Sequence, residues 1–132
     1  MHIQYKNDTI PATQDIIALY DNAVLNRPTE DRERIARMYE NSNLVISAWD
    51  GDRLVGVARS LTDYCFCCYL SDLAVNKDYQ AAGIGKQLVA LTQEAIGPQT
   101  MLLLLSAPTA MEYYPKIGMT KLDNAFYFPR KQ

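Results

Sequence analysis

The stretch Asp72-Leu73-Ala74-Val75-Asn76-Lys77-Asp78-Tyr79-Gln80-Ala81-Ala82-Gly83-Ile84-Gly85-Lys86-Gln87-Leu88-Val89 decides the fold. An apolar strand ends in a short turn, and a run of small residues then opens directly into a helix. A helix start leaves backbone N–H groups without partners and carries the positive end of the helix dipole, so the junction suits an anion, above all a phosphate. Small side chains let that ligand come close to the backbone. Two nucleotide motifs fit poorly. A Walker A loop needs Gly at the position of Gln80 and Ser or Thr at that of Gln87, and a Rossmann fingerprint needs a third small residue where Leu88 stands.

What does match is Gln80-x-x-Gly83-x-Gly85 ahead of an apolar-faced helix and behind Asp72-Leu73-Ala74-Val75. This closely resembles the acetyl-CoA signature of the GNAT superfamily of N-acetyltransferases. Further on, Tyr113-Tyr114-Pro115-Lys116-Ile117-Gly118-Met119 resembles the family's Tyr-x-x-x-Gly-Phe element, at the expected distance and in the expected order. Met119 stands where the family has Phe, one apolar filler for another. The resemblance covers nearly the whole chain and is that of a small, single-domain, bacterial-type member.

The rest of the sequence is read in the same terms. At 132 residues, 48% of them apolar, the chain suits one domain spanning residues 1–132, with no repeat or linker. Met1-His2-Ile3-Gln4-Tyr5 lacks the basic and apolar regions of a signal peptide, and no apolar run reaches membrane-spanning length, so a soluble, cytoplasmic protein is expected. The formal net charge is −2 with both signs interspersed, which speaks against nucleic acid as a partner, and with no spanning run no membrane partner is expected. Cys65, Cys67 and Cys68 crowd one expected strand. Neighbours there point to opposite faces and cannot pair easily, and with His2 the only histidine a zinc site is not expected; they read as buried thiols in a reducing compartment.

Periodicity predicts a first strand at Ile3–Tyr5, a helix capped by Thr13 with Ile16, Leu19, Tyr20 and Ala23 inward, and a second helix signalled by Thr29, Glu30 and Asp31. Leu44–Trp49 and Leu54–Arg59 around Asp50-Gly51-Asp52 predict a hairpin, extended by a strand from Cys65 to Val75. A helix from Gly83 to Ile96 follows. Met101–Leu105 reads as a strand buried on both faces in a central position, Pro108–Lys116 as the last helix, and Lys121–Phe128 as the final strand. The order is that of the GNAT fold, an α+β architecture with a mixed, mostly antiparallel sheet, a central splayed pair of parallel strands, and flanking helices.

The resemblance implies an acyl-CoA-dependent N-acyltransferase with acetyl-CoA as the acyl donor and no metal. The acceptor expected is a primary amine, of a small molecule because the chain has no insertion to build a peptide groove. Main-chain groups of Leu73, Ala74 and Val75 would meet pantetheine at a bulge in the strand, and Gln80, Ala81, Ala82, Gly83, Ile84, Gly85 and Lys86 would hold the pyrophosphate. Tyr114 takes the place of the family's general acid toward the CoA sulfur, and a phenol of ordinary pKa near 10 is protonated and able to donate at neutral pH. Tyr113, its neighbour, is expected to pack in the core. Asp72 is the first candidate for the base, ahead of Asp63 and Tyr64. The acceptor would lie between Ala23–Arg32 and Arg59–Tyr64, with Tyr20, Arg27, Trp49, Arg59 and Tyr64 as candidate lining. No histidine is placed to activate a cysteine, so direct attack by the amine is preferred over an acetyl-cysteine. The competing readings are an acyl-CoA sensor without catalysis and a protein-interaction module on the same fold, in a monomer or a homodimer.

Overall fold

The structure is a computed structural model and describes residues 2–132. Its centre is the expected hairpin. β2 (Leu44–Asp50) and β3 (Arg53–Thr62) pair antiparallel from Leu44↔Ser60 to Asp50↔Arg53, and Gly51 takes the left-handed conformation (φ 61°) that the tight turn requires. β1 (Gln4–Lys6) adds to the free edge of β2, and β4 (Cys67–Val75) to that of β3, both antiparallel. β5 (Met101–Leu103) runs parallel to β4, which gives the order β1-β2-β3-β4-β5.

Helices cover both faces of the sheet. α1 (Thr13–Ala23) and α2 (Arg32–Glu40) bury Ile16, Leu19, Tyr20, Ile35 and Tyr39 against Val45, Val57 and Ala74. On the other face α3 (Ile84–Ile96) lays Ile84, Leu88 and Ile96 over Ile46, Ala48, Val55, Ala58 and Leu70. Strand alternation does this sorting: Val57 and Ala58, adjacent in β3, belong to opposite cores. Gly56 lets α3 lie close, because a Cβ there would sit 3.0 Å from Ile84 Cγ2 and 3.2 Å from Leu88 Cδ1.

Several local expectations are corrected. Thr13 is the first residue of α1 and caps nothing; Ala12 holds that position without a side-chain bond. α2 is capped by Asp31, whose carboxylate accepts from the Arg34 amide at 3.0 Å, while the Thr29 hydroxyl donates to Asp21 at 2.7 Å. The expected last helix is broken into a 3-10 turn at Pro108–Ala110 and the short α4 (Tyr113–Lys116), as prolines lacking an N–H would lead one to expect. β5 stops at Leu103, and Met101 and Leu105 are exposed. Lys121–Phe128 has the composition of a strand, but among the described residues no strand pairs with it, so the β4–β5 pair lies at one margin of the sheet. Among the described residues no helix is long and apolar enough to cross a membrane.

Candidate active site

β4 has two different edges. Toward β3 it is paired from Cys68 to Val75, with one interruption; toward β5 it is paired only from Cys67 to Tyr69. From Leu70 onward the two parallel strands part, and the main-chain groups on that edge of Leu73, Ala74 and Val75 face an opening instead of a ladder. A bulge helps to set the divergence. Arg59 pairs with Asp72 but Ser60 with Leu70, so Ser71 is the extra residue, two positions earlier than the sequence suggests.

The strand leads into a short 3-10 helix at Lys77–Ala82 that is tied down at several points. Asn22 Oδ1 accepts from the Lys77 amide at 2.8 Å, Asn76 Oδ1 from the Asp78 amide at 2.9 Å, and the Tyr79 hydroxyl donates to Asp50 at 2.6 Å. The Gln80 side-chain amide donates back to the Val75 carbonyl at 3.1 Å, clasping the loop to the end of β4. Gly83 then turns the chain in the left-handed region (φ 76°) and serves as N-cap of α3 without a capping side chain. The first helical bond of α3 runs from the Gln87 amide to the Gly83 carbonyl at 3.1 Å, which leaves the amides of Ile84, Gly85 and Lys86 without an acceptor. Gln80, Ala81, Ala82, Gly83 and Lys86 are exposed, while Ile84 is fully buried and anchors the helix start in the core. The result is an open helix start with unpaired amides, a geometry suited to an anion.

α4 completes it. A Cβ on Gly85 would lie 2.7 Å from the Tyr113 hydroxyl and 3.7 Å from Val75 Cγ2, so the end of β4, the start of α3 and Tyr113 meet at one point. Tyr113 is not the core residue expected from its neighbour's motif; only this packing, with no local signal, puts its hydroxyl over the loop. Tyr114 is half-buried, its ring edge-on to that of Tyr113 at 5.2 Å. Burial raises the pKa of both phenols, for Tyr114 with the neighbouring Tyr113 adding to it, so Tyr114 keeps its proton above the usual range.

Asp72 is brought to the bulge, but its carboxylate is saturated. Oδ1 accepts from Arg27 Nε at 2.7 Å and from the Ser71 hydroxyl at 3.1 Å; Oδ2 accepts from Arg59 Nε at 2.8 Å and from the Tyr20 hydroxyl at 2.6 Å. With its one proton given to Asp72, Tyr20 must accept from Tyr39 in their 2.5 Å contact. Burial alone would raise the Asp72 pKa, but the hydrogen bonds from Arg59 and Tyr20 and the charges of Arg59 and Arg27 outweigh it and hold the carboxyl below the usual range. Burial, with the neighbouring Tyr39 and Asp72, pushes the Tyr20 phenol far up. A carboxylate that is fully buried, fully bonded and easily ionised is a poor proton acceptor, so the geometry turns Asp72 from the expected base into a tether. It joins α1, the α1–α2 connection and β3 to the bulge. Arg27 works with it, donating also to the Ser71 carbonyl at 2.7 Å.

The other expected lining residues do not converge. Tyr20 and Arg59 are buried in that network, and Trp49 lies at the hairpin end of β2, where Lys6 stacks over its ring. Tyr64 lies at the opposite end, its hydroxyl on the Asn43 carbonyl at 2.9 Å, where β4 and β5 are still paired. Of the cysteines only Cys68 is buried; Cys65 and Cys67 are exposed at the β3–β4 turn, where the Asp63 carboxylate accepts from the amides of residues 65, 66 and 67. Those three amides hold Asp63 well below the carboxylate range, and its charge contributes to raising both exposed thiols. Among the described residues no group of three or more His, Cys, Asp or Glu side chains could hold a metal ion.

The model of the acetyltransferase (GNAT) domain family matches residues 12–129. An N-acetyltransferase of uncharacterized function from Pyropia yezoensis, ycf52, is 28% identical over 103 residues, 69% of this chain and 58% of that protein, so the chain spans less than two thirds of that relative's length. A probable acetyltransferase from meticillin-resistant Staphylococcus aureus superposes with a TM-score of 0.82 at 24% identity, covering 98% of this chain and 100% of that one. An aminoglycoside N-acetyltransferase in complex with CoA superposes with a TM-score of 0.73 at 12% identity, covering 99% and 96%. The splayed strands, the glycine-capped helix start and the family match over most of the chain agree: this protein belongs to the GNAT acetyltransferase family.

Proposed function

We propose that this chain transfers the acetyl group of acetyl-CoA to a primary amine of a small molecule by direct attack. The observation that carries the reading is the junction of Val75, Gly85 and Tyr113. There an open strand edge able to pair with an amide-bearing chain runs straight into three free helix amides able to hold a pyrophosphate. Main-chain groups of Leu73, Ala74 and Val75 bind pantetheine and polarise the acetyl carbonyl. The loop from Gln80 to Lys86 holds the pyrophosphate, with the Tyr113 hydroxyl as an added donor.

In the reaction the amine nitrogen forms its bond to the carbonyl carbon and the carbon–sulfur bond breaks. Tyr114 gives its proton to the departing thiolate, and the amine's surplus proton passes to water, since Asp72 is sealed off. The exposed thiols lie at the far, paired end of β4 with raised pKa values, which favours direct attack over an acetyl-cysteine. The likeness to an aminoglycoside acetyltransferase supports a small amine as acceptor.

Release of free CoA thiol, followed across polyamines, aminoglycosides, amino acids and arylalkylamines, tests this. Acceptor-dependent release is expected with at least one class. Tight acetyl-CoA binding with no acceptor-dependent thiol across the panel would replace the enzyme by a sensor.

A further inference from the structure

The main chain of β4 exchanges its edges at the bulge. Before it, the Cys67 carbonyl accepts from the Asp63 amide at 3.2 Å, on the β3 side; after it, the Asn76 amide donates to the Val55 carbonyl at 2.8 Å, again on the β3 side. Main-chain groups of successive strand residues point to alternate edges, so odd-numbered residues face β3 before the bulge and even-numbered ones after it. Ser71, the extra residue, makes that switch and turns Leu73 and Val75 to the parted edge. In an unbroken ladder their amides and carbonyls would pair with β3.

We propose that Arg27 is the positioning residue that holds this switch for acetyl transfer. Ser71 has no partner in β3 or in β5, which leaves its carbonyl in need of a donor. Arg27 Nη2 donates to that carbonyl at 2.7 Å while Nε donates to Asp72 Oδ1 at 2.7 Å, so one planar guanidinium spans the bulged residue and its neighbour. Nη1 donates to the Asn26 carbonyl at 2.8 Å, which fixes the fork from its own loop. Arg59 holds the Ser71 hydroxyl at 2.9 Å, but it belongs to β3 and leaves the carbonyl to Arg27. Arg27 comes from outside the sheet, and its side chain is 27% exposed, so a small cation can reach its place. The inference rests on the proposed reaction, in which main-chain groups beginning two residues after Ser71 polarise the acetyl carbonyl. A donor misplaced by about 1 Å lowers turnover on the order of a hundredfold.

Steady-state kinetics, acetyl-CoA titration and urea unfolding of Arg27→Lys and Arg27→Ala test it. Lysine keeps a charge beside Asp72 but has no fork to hold the Ser71 carbonyl as well. Arg27→Lys is expected to retain most of the stability and to bind acetyl-CoA within about threefold of wild type, yet to lose about tenfold or more in kcat. In Arg27→Ala, millimolar methylguanidinium should restore part of kcat, saturably; if that variant does not fold, Arg27→Lys decides alone. Wild-type kcat in Arg27→Lys overturns the proposal, and so does a folded Arg27→Ala that methylguanidinium leaves unchanged. If wild type releases no CoA thiol with any acceptor, the reaction itself is what fails. Hydrogen exchange then judges the hold on the bulge: faster exchange from Asp72 to Val75 in Arg27→Lys supports it, and unchanged exchange overturns it.

Discussion

Asp72 lies under the bulge as the common acceptor of two arginines, a serine and a tyrosine, and this sets how the protein should respond to acid. Its folded pKa is below the unfolded value of about 4, so its stabilisation is complete above roughly pH 5 and is lost as pH falls through the unfolded and then the folded value. Asp72→Asn should cost about 3–5 kcal/mol at neutral pH by leaving buried guanidinium charge unpaired, and should flatten the acid limb. Asp63 is depressed as well and keeps part of that limb in the variant. Urea unfolding between pH 7 and pH 2 is the measurement; equal acid sensitivity in variant and wild type contradicts the assignment. Tyr114 has the opposite character, a phenol that burial keeps protonated. Tyr114→Phe should lower acetyl transfer by roughly ten- to a thousandfold with little change in cofactor affinity, since the ring and its contact with Tyr113 remain. Steady-state kinetics beside a cofactor titration decide it, and near-equal turnover reduces Tyr114 to part of the pocket wall.

At the scale of the element, the start of α3 gathers three amides without acceptors, and two glycines there act for different reasons. Gly83 holds a left-handed φ with open space where a Cβ would be, so Gly83→Val combines backbone strain with a side chain in the ligand's approach. A loss of about tenfold or more in acetyl-CoA affinity is expected by isothermal titration. Unchanged affinity would falsify the placement of the pyrophosphate. Gly85 has an ordinary φ, and a Cβ there would displace the end of Tyr113. Gly85→Ala should therefore leave the fold intact and weaken the cofactor as Tyr113→Phe does, a correspondence that parallel titrations of the two variants would show or refute. The helix and the turn before it were legible from small residues and periodicity. The cap of α2 was not, because Thr29 and Asp31 both carry good capping oxygens and only the course of the chain gives Thr29 to Asp21.

Across the whole molecule, the cleft forms because β4 is held on one side from Cys68 to Val75 and on the other for three residues. Acetyl-CoA would bridge the parted strands and the head of α3. Bound cofactor should then raise the melting temperature, by mass action on the native state alone, increasingly with concentration above its dissociation constant. A thermal scan with and without acetyl-CoA checks this, and no shift at saturating cofactor counts against the site. The sequence by itself determined the family, the hairpin and the glycine-capped helix start, since these rest on local patterns: alternation, small residues at a helix start, motif order. Tertiary structure alone decided that Asp72 is a tether, that Tyr113 overlies Gly85 and that Lys121–Phe128 pairs with no strand among the described residues. Each depends on what a distant segment brings within a few ångströms. A carboxylate reads the same in sequence whether it meets water or two arginines, and a strand pattern does not say whose edge it will join.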